Sequence, residues 1–252
     1  MEDEVIAEFD FSYDSFTGAT EHVNLTDIDR AVAGFFQHVV NTLTVTDIER
    51  DENQEFARFC DRPKNRKLYA GKFKDPEHFV RTLASKLGKD IHSDRKELLP
   101  ACYISRDNSL TFADGNDYKD ATDVARLSNS SGPYAQLNHS FLKLSYTVTG
   151  VAWTEPTLTR LMLGLMMWLR HTKAGRPHTF NAKTMIANAP IECLVSVGSK
   201  KDAIGEGVEI PVDTSRIVAM SVMFEITAEV YEAEEIMRVK AKSQLMGGGQ
   251  IE

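Results

Sequence analysis

The chain has 252 residues, 42% of them hydrophobic, and a net charge of −8 at pH 7. That length suits one large domain, or one domain with a sizeable insertion. The acidic balance argues against a domain whose main task is gripping a phosphate backbone, because such a grip needs clustered Lys and Arg.

The longest apolar run, Leu161 to Leu169, is far short of a membrane span. The opening Met-Glu-Asp-Glu lacks the basic start of a signal peptide, so a soluble protein that stays where it is made is expected. Cys60, Cys102 and Cys193 are widely spaced and odd in number, which gives neither a disulfide framework nor a zinc spacing. Cys193 lies on the apolar face of a predicted strand and reads as a small core residue.

Residues 1–16 carry Glu2, Asp3, Glu4, Glu8, Asp10 and Asp14 with no Lys or Arg, interleaved with Val5, Ile6, Phe9, Phe11 and Phe16. They read as an acidic arm, either solvated or docked on a neighbouring subunit. Thr26-Asp-Ile-Asp29 resembles a capping box, and Ile28, Ala31, Phe35, Val39 and Val40 predict a helix to about Thr42. Leu43 to Ile48 alternates and predicts a strand. Residues 66–74 predict a short strand with a basic face. Asp75-Pro76 opens a helix with Phe79, Val80, Leu83 and Leu87 on its apolar side, and Gly88 closes it. Leu98 to Ser105 predicts a strand that Pro100 places at an edge or bulge.

Residues 106–138 are rich in Asn, Asp, Ser and Gly and read as a long loop insertion, with Phe112, Tyr118 and Tyr134 as docking aromatics. Phe141 to Thr149 then alternates, with Leu142, Leu144, Tyr146 and Val148 on one face. Thr154-Glu-Pro156 starts a helix to about His171. Its apolar residues run almost all the way round, so cover on more than one side is expected. Ile191, Cys193, Val195 and Val197 mark another strand, residues 200–214 a loop, and Ile217 to Tyr231 a long strand. Residues 232–244 read as a charged extension or short helix, and 240–252 as a flexible tail. The fold class expected is α+β: a mixed, mainly antiparallel sheet packed against helices in two layers. The whole of 1–252 is read as a single domain.

Chemistry is hard to find in these residues. Asp114 to Asp120 has close-spaced oxygen side chains, but the twelfth position of a calcium loop is Ala125, so a turn is the better reading. His171, Lys173, Arg176 and His178 offer a small-anion site, yet cations on a helix C-terminus explain the same residues. Glu225 and Glu229 share the polar face of a strand and read as a solvated or subunit-facing row. No P-loop, nucleophile elbow, zinc motif or CxxC is present. No catalytic residue, cofactor or metal is assigned, and an enzyme is not expected.

Thr154-Glu-Pro-Thr-Leu-Thr-Arg-Leu-Met-Leu after the Phe141 strand, then Ser215-Arg-Ile-Val-Ala-Met-Ser-Val-Met-Phe-Glu-Ile and Tyr231, resemble the tail terminator and tail completion proteins of contractile-tailed bacteriophages. Upstream, Val45 to Arg50 with Lys67-Leu-Tyr-Ala-Gly-Lys-Phe resembles the family's strand–turn–strand opening, and Glu97-Leu-Leu-Pro100 its Leu-Pro turn. The resemblance covers roughly residues 38–235; the acidic arm and the 106–138 insertion depart from it. It implies a virion protein of the tail and neck, assembled in the host cytoplasm. Six copies would form a ring that caps the tail tube, holds the end of the sheath and meets the neck proteins, with DNA passing through unbound. A baseplate-side tube initiator or a head–tail connector are the alternatives within a phage. Phe9, Phe11, Phe112, Tyr118, Trp153, Arg170, Arg176 and Arg216 are the candidate interface residues.

Overall fold

The two longest alternating stretches of the sequence are neighbours in space. We describe a computed structural model that covers residues 17–91, 94–115, 118–130, 132–170, 178–198, 205–212 and 215–236, with backbone alone at 17–18, 95, 205–212 and 215–216. Strand β6 (Gly132–Ala152) and strand β10 (Ser215–Ile236) pair antiparallel without a break, from Val218 opposite Ala152 to Glu235 opposite Ala135. At about 3.3 Å per residue each spans roughly 70 Å, several times an ordinary strand. One face buries Leu144, Tyr146, Val148, Val222, Phe224 and Ile226. The alternate residues Ser145, Thr147, Glu225 and Thr227 are only half-buried, as strand periodicity requires.

Other strands line both flanks of this ribbon. On the β6 side lie β3 (Ala101–Arg106), β4 (Thr111–Phe112) and β5 (Ala121–Asn129), and β2 (Leu68–Ala70) pairs parallel with β3. On the β10 side lie β1 (Thr17–His22), the hairpin β7 (His178–Ile186) and β8 (Ala189–Val197), and β9 (Gly205–Val212). The main path runs β2-β3-β6-β10-β8-β7. The expected α+β class and mixed, mainly antiparallel sheet are as observed.

Helix α1 (Leu25–Thr42) lies on the apolar face because Ile28, Val32, Phe36, Val39 and Val40 recur at three and four and are all buried. Helix α5 (Glu155–Arg170) joins it through Leu158, Leu161, Met162, Leu165 and Leu169. Each such side chain removed from water contributes about 1.5–3 kcal/mol. Gly150 of β6 permits the close approach of α5, since a Cβ there would meet Met162 Sδ at 2.6 Å. Helix α2 (Asp51–Asp61) packs beside α5 and sends buried Glu55 to its start, where Glu55 accepts from the Trp153 amide at 2.9 Å and from the Thr154 hydroxyl. Among the described residues the opposite face is covered at one end. There α3 (Pro76–Leu87) and α4 (Arg95–Leu98) bury Phe79, Val80, Leu83 and Leu98 on Tyr103, Val151, Ile217 and Ala219. Two layers therefore become three at that end.

A polar cluster pins α1 to the sheet. Asp29 accepts from the Tyr146 hydroxyl at 2.6 Å and from Arg106 Nε at 2.8 Å, and Asp27 accepts from the Thr184 hydroxyl at 2.9 Å. Arg62, after α2, points its guanidinium at the carbonyls of Lys96, Leu98, Leu99 and Pro100, which ties the α3–α4 cover to the main core.

Several expectations need correction. Residues 43–48 are not a strand; they lead by turns into α2, which the sequence reading missed. The helix cap is Asn24, accepting from the Thr26 amide at 3.0 Å, rather than Thr26. β3 is interior, between β2 and β6, and Pro100 precedes it. The 106–138 loop contains β4, β5 and the first residues of β6. The 200–214 loop contains β9, and 232–236 continue β10 instead of turning helical. Residues 240–252 lie outside the described residues.

Candidate interface site

The hairpin β7–β8 leaves a nine-residue strand, β7, at the margin of the sheet among the described residues. Phe180, Ala182, Thr184 and Ile186 point at α1, while Thr179, Asn181, Lys183 and Met185 are exposed. Phe35 of α1 stacks on Phe180 with centroids 4.8 Å apart. Ala187 and Asn188 have φ of 47° and 61° and make the two-residue turn, so Ile186 and Ala189 form a hydrogen-bonded pair. Bonded and non-bonded pairs alternate from there. The amide and carbonyl groups of Thr179, Asn181, Lys183 and Met185 therefore point away from β8. Pro190, which has no N–H, sits opposite Met185 in a non-bonded pair, and the Leu194 amide points outward to Glu229 Oε2 at 3.1 Å, both consistent with this phase. Among the described residues β7 pairs with β8 alone. Exposed edges of this kind are templates for another strand.

Its outer surface carries Met185 and Leu194, both exposed, on either side of the Lys183–Glu192 ion pair. On α5, Leu163 and Met167 lie one turn apart and are 54% and 43% exposed. α1, α2 and the sheet all pack on α5, the cover on more than one side that was expected, and they leave this strip exposed.

The predicted interface residues do not converge on one place. Phe112 on β4 is 62% exposed and borders an apolar cavity of about 430 Å³ with Val23, Leu142 and Val230. Tyr118 is half-buried and meets Phe141 edge-on at 5.3 Å, so it docks within its own chain. Trp153 is half-buried at the β6–α5 junction and packs on the α3–α4 cluster. Arg170 is exposed at the end of α5. Arg216 lies in β10 opposite Pro211 of β9, its side chain outside the described residues. Phe9, Phe11 and Arg176 lie outside the described residues, as do His171 and Lys173 of the anion alternative. His178 opens β7 and stacks on Trp168 at 4.6 Å.

Glu229 is not a free solvated acid. It lies 3.2 Å from His139 Nε2, and together with burial it pushes the Tyr231 hydroxyl well above the usual phenol range. Burial pushes the Cys193 thiol up to about 12, with Glu229 and Asp27 adding to it, in keeping with its core reading. Among the described residues no group of three or more His, Cys, Asp or Glu side chains is arranged to hold a metal ion. The β7 edge was not expected from the sequence, although Thr179 to Ile186 alternates directly after the basic 171–178 segment. Comparison with known proteins finds no matching family model and no match among curated proteins.

Proposed function

We propose that the chain is a structural ring subunit of a contractile phage tail, a tail terminator that caps the tube, holds the end of the sheath and joins the neck. The observation that carries this reading is the open β7 edge, a regular nine-residue strand with outward hydrogen-bonding groups on four residues. A monomer normally blunts such an edge; a ring can pair it with the next subunit. The apolar residues on the outer faces of β7–β8 and α5 suit burial between protomers or against tube and sheath. The resemblance of residues 38–235 to terminator proteins supports this place in the particle. The net charge of −8 suits a conduit that lets DNA pass without holding it.

Light scattering and negative-stain microscopy of the purified protein, alone and with tail tubes, test the reading. Rings of about six copies that seat on tube ends are expected from cyclic closure of a head-to-tail contact. A chain that stays monomeric even when tube ends are supplied would overturn it.

A further inference from the structure

We infer that the groove between α1 and the free edge of β2 binds residues 8–14 of a second copy of the chain, which adds as a strand to β2. The inference rests on the ring reading and names one contact that would join neighbouring subunits.

The acceptor is a strand edge with a floor of small residues. In the parallel β2–β3 ladder the Cys102 amide donates to the Lys67 carbonyl at 2.8 Å, and the Gly71 amide donates to the Ile104 carbonyl at 3.1 Å. Parallel strands alternate direction residue by residue, so Tyr69 points at β3 while the amides and carbonyls of Leu68 and Ala70 point away. Those outward groups have no partner among the described residues. They border a groove of about 480 Å³ whose far wall is α1, and Ala33, Gly34, Ala70 and Gly71 keep it wide. A Cβ at Gly34 would meet nothing within 4 Å. A second hollow of about 140 Å³ shares Asp29, Ala33, Ala70 and Gly71 and extends the groove toward Arg106.

The run that carries β2 is basic, while Asp29, held by Tyr146 and Arg106, lines the α1 wall of the groove. Residues 62–74 hold Arg62, Lys64, Arg66, Lys67, Lys72 and Lys74 and no acid. Lys64, Arg66, Lys72 and Lys74 are exposed, and among the described residues none of these four is in an ion pair. The complement is in the same chain. Residues 1–16 have six acids and no base, and Glu8-Phe-Asp-Phe-Ser-Tyr-Asp14 alternates strictly. As a strand it presents Phe9, Phe11 and Tyr13 on one face and Glu8, Asp10, Ser12 and Asp14 on the other. The aromatic face matches the groove beside Ala33 and Gly34; the acids match the basic run. This is strand addition, in which main-chain bonds supply affinity and side-chain pockets supply specificity.

Reach makes the donor another copy. Thr17 pairs with Ile236 at the far end of the ribbon, and β1 runs from there toward α1. β1 thus separates Thr17 from His22 by about 17 Å, and Ala33 and Gln37 lie a further ~12–18 Å along α1. The four residues from Tyr13 to Thr17 span at most about 14 Å. A chain's own segment 8–14 therefore falls short of its own β2.

The test is a disulfide trap in the full chain carrying both Phe11→Cys and Gly34→Cys, with each single variant as control and the mass before oxidation measured by light scattering. Native Cys102 and Cys193 are buried, and half-buried Cys60 is replaced by Ser in every variant. The expected result is a ladder of covalently linked multimers from the double variant alone. Intact rings that give no link, or only a link within one chain, overturn the docking and leave the ring reading standing. A chain that stays monomeric with tube ends supplied and gives no link overturns both. Gly34→Phe provides the second arm: its Cβ meets nothing within 4 Å, its ring is aimed to occupy the groove, and it improves helix propensity. It is expected to leave the circular dichroism spectrum unchanged while weakening ring association at least about tenfold, a loss of about 1.4 kcal/mol. Full-strength rings from a folded Gly34→Phe protein overturn the docking.

Discussion

Tyr146 donates its hydroxyl to Asp29 Oδ1 across 2.6 Å, joining β6 to α1 over 117 residues of chain. Arg106 Nε reaches the same oxygen at 2.8 Å. Burial, with the Asp29 carboxylate beside it, pushes the Tyr146 phenol far above its usual range, so it stays protonated and keeps donating. Tyr146→Phe removes one donor and leaves Arg106 to Asp29; a loss of about 1–2 kcal/mol is expected. Asp29→Ala strands a buried hydroxyl and a guanidinium together and should cost more than Tyr146→Phe. Urea denaturation of the two variants checks the order.

Arg62 holds four backbone carbonyls at once, with Leu99 at 2.7 Å and Lys96 at 2.9 Å. Burial pulls its guanidinium down to about 10, still charged at neutral pH, and the carbonyl dipoles favour the charged form. A lysine keeps the charge but cannot fan donors over four acceptors. Arg62→Lys is expected to cost about 2–4 kcal/mol, from two or more lost charge-assisted bonds. Amide exchange should quicken first at residues 96–99.

The approach of α5 to β6 depends on the missing side chain at Gly150. Gly150→Ala drives a methyl into the Met162 sulfur, in a site where Met162 is fully buried. Overpacking of this kind costs about 1–3 kcal/mol. On a Met162→Ala background, which has its own cavity cost, the added methyl is expected to be nearly neutral. The double-mutant cycle measures that coupling; strictly additive losses would contradict the contact.

Alkali should unfold the protein from within its core. Burial raises the Cys102 thiol from 9.0 to about 12. A thiol raised in the folded state stabilises fully below its unfolded value, and that stability is lost as pH rises between the two. Denaturation midpoints are therefore expected to fall from about pH 9 upward. Cys102→Ala should lower stability at pH 7 and flatten the alkaline limb.

The β7 edge can be closed without touching the β7–β8 ladder. The Asn181 amide points outward, so Asn181→Pro removes an edge donor and no ladder bond. Its loss of the side-chain bond to Glu192 at 2.9 Å is an exposed one and cheap. The expected outcome is a folded monomer, by near-native thermal melting, that no longer forms rings by light scattering.

Most of the long elements were legible because their faces differ in kind. β10 was readable from Val218 to Val230, and α3 between Asp75 and Gly88, since the cap Asp75 accepts from the His78 amide at 2.7 Å and Gly88 adopts φ of 62°. β5 was not. Its residues 122–126 are all exposed, so it lacks the alternation that burial imposes, and it exists because β6 offers it an edge. α2 was missed because it opens on Asp51-Glu-Asn and carries few apolar residues; it is held by Phe56, Phe59 and the buried Glu55. The candidate interface was the least legible part, because an open edge is defined by which strands do not pair, and no residue announces that.

The amino-acid sequence by itself determined the apolar faces of β6, β10, α1 and α5, the cap and stop of α3, and thereby the α+β class. Periodicity is local, so these could be read along the chain. Only the tertiary structure decided that β6 and β10 pair over their whole length, that α3 and α4 close one end of the second face, and that β2 and β7 are left at the margins. Those outcomes depend on contacts between residues far apart in the chain, such as Asp27 with Thr184 across 157 positions, where chain closure weakly penalises distance and packing alone chooses the partner.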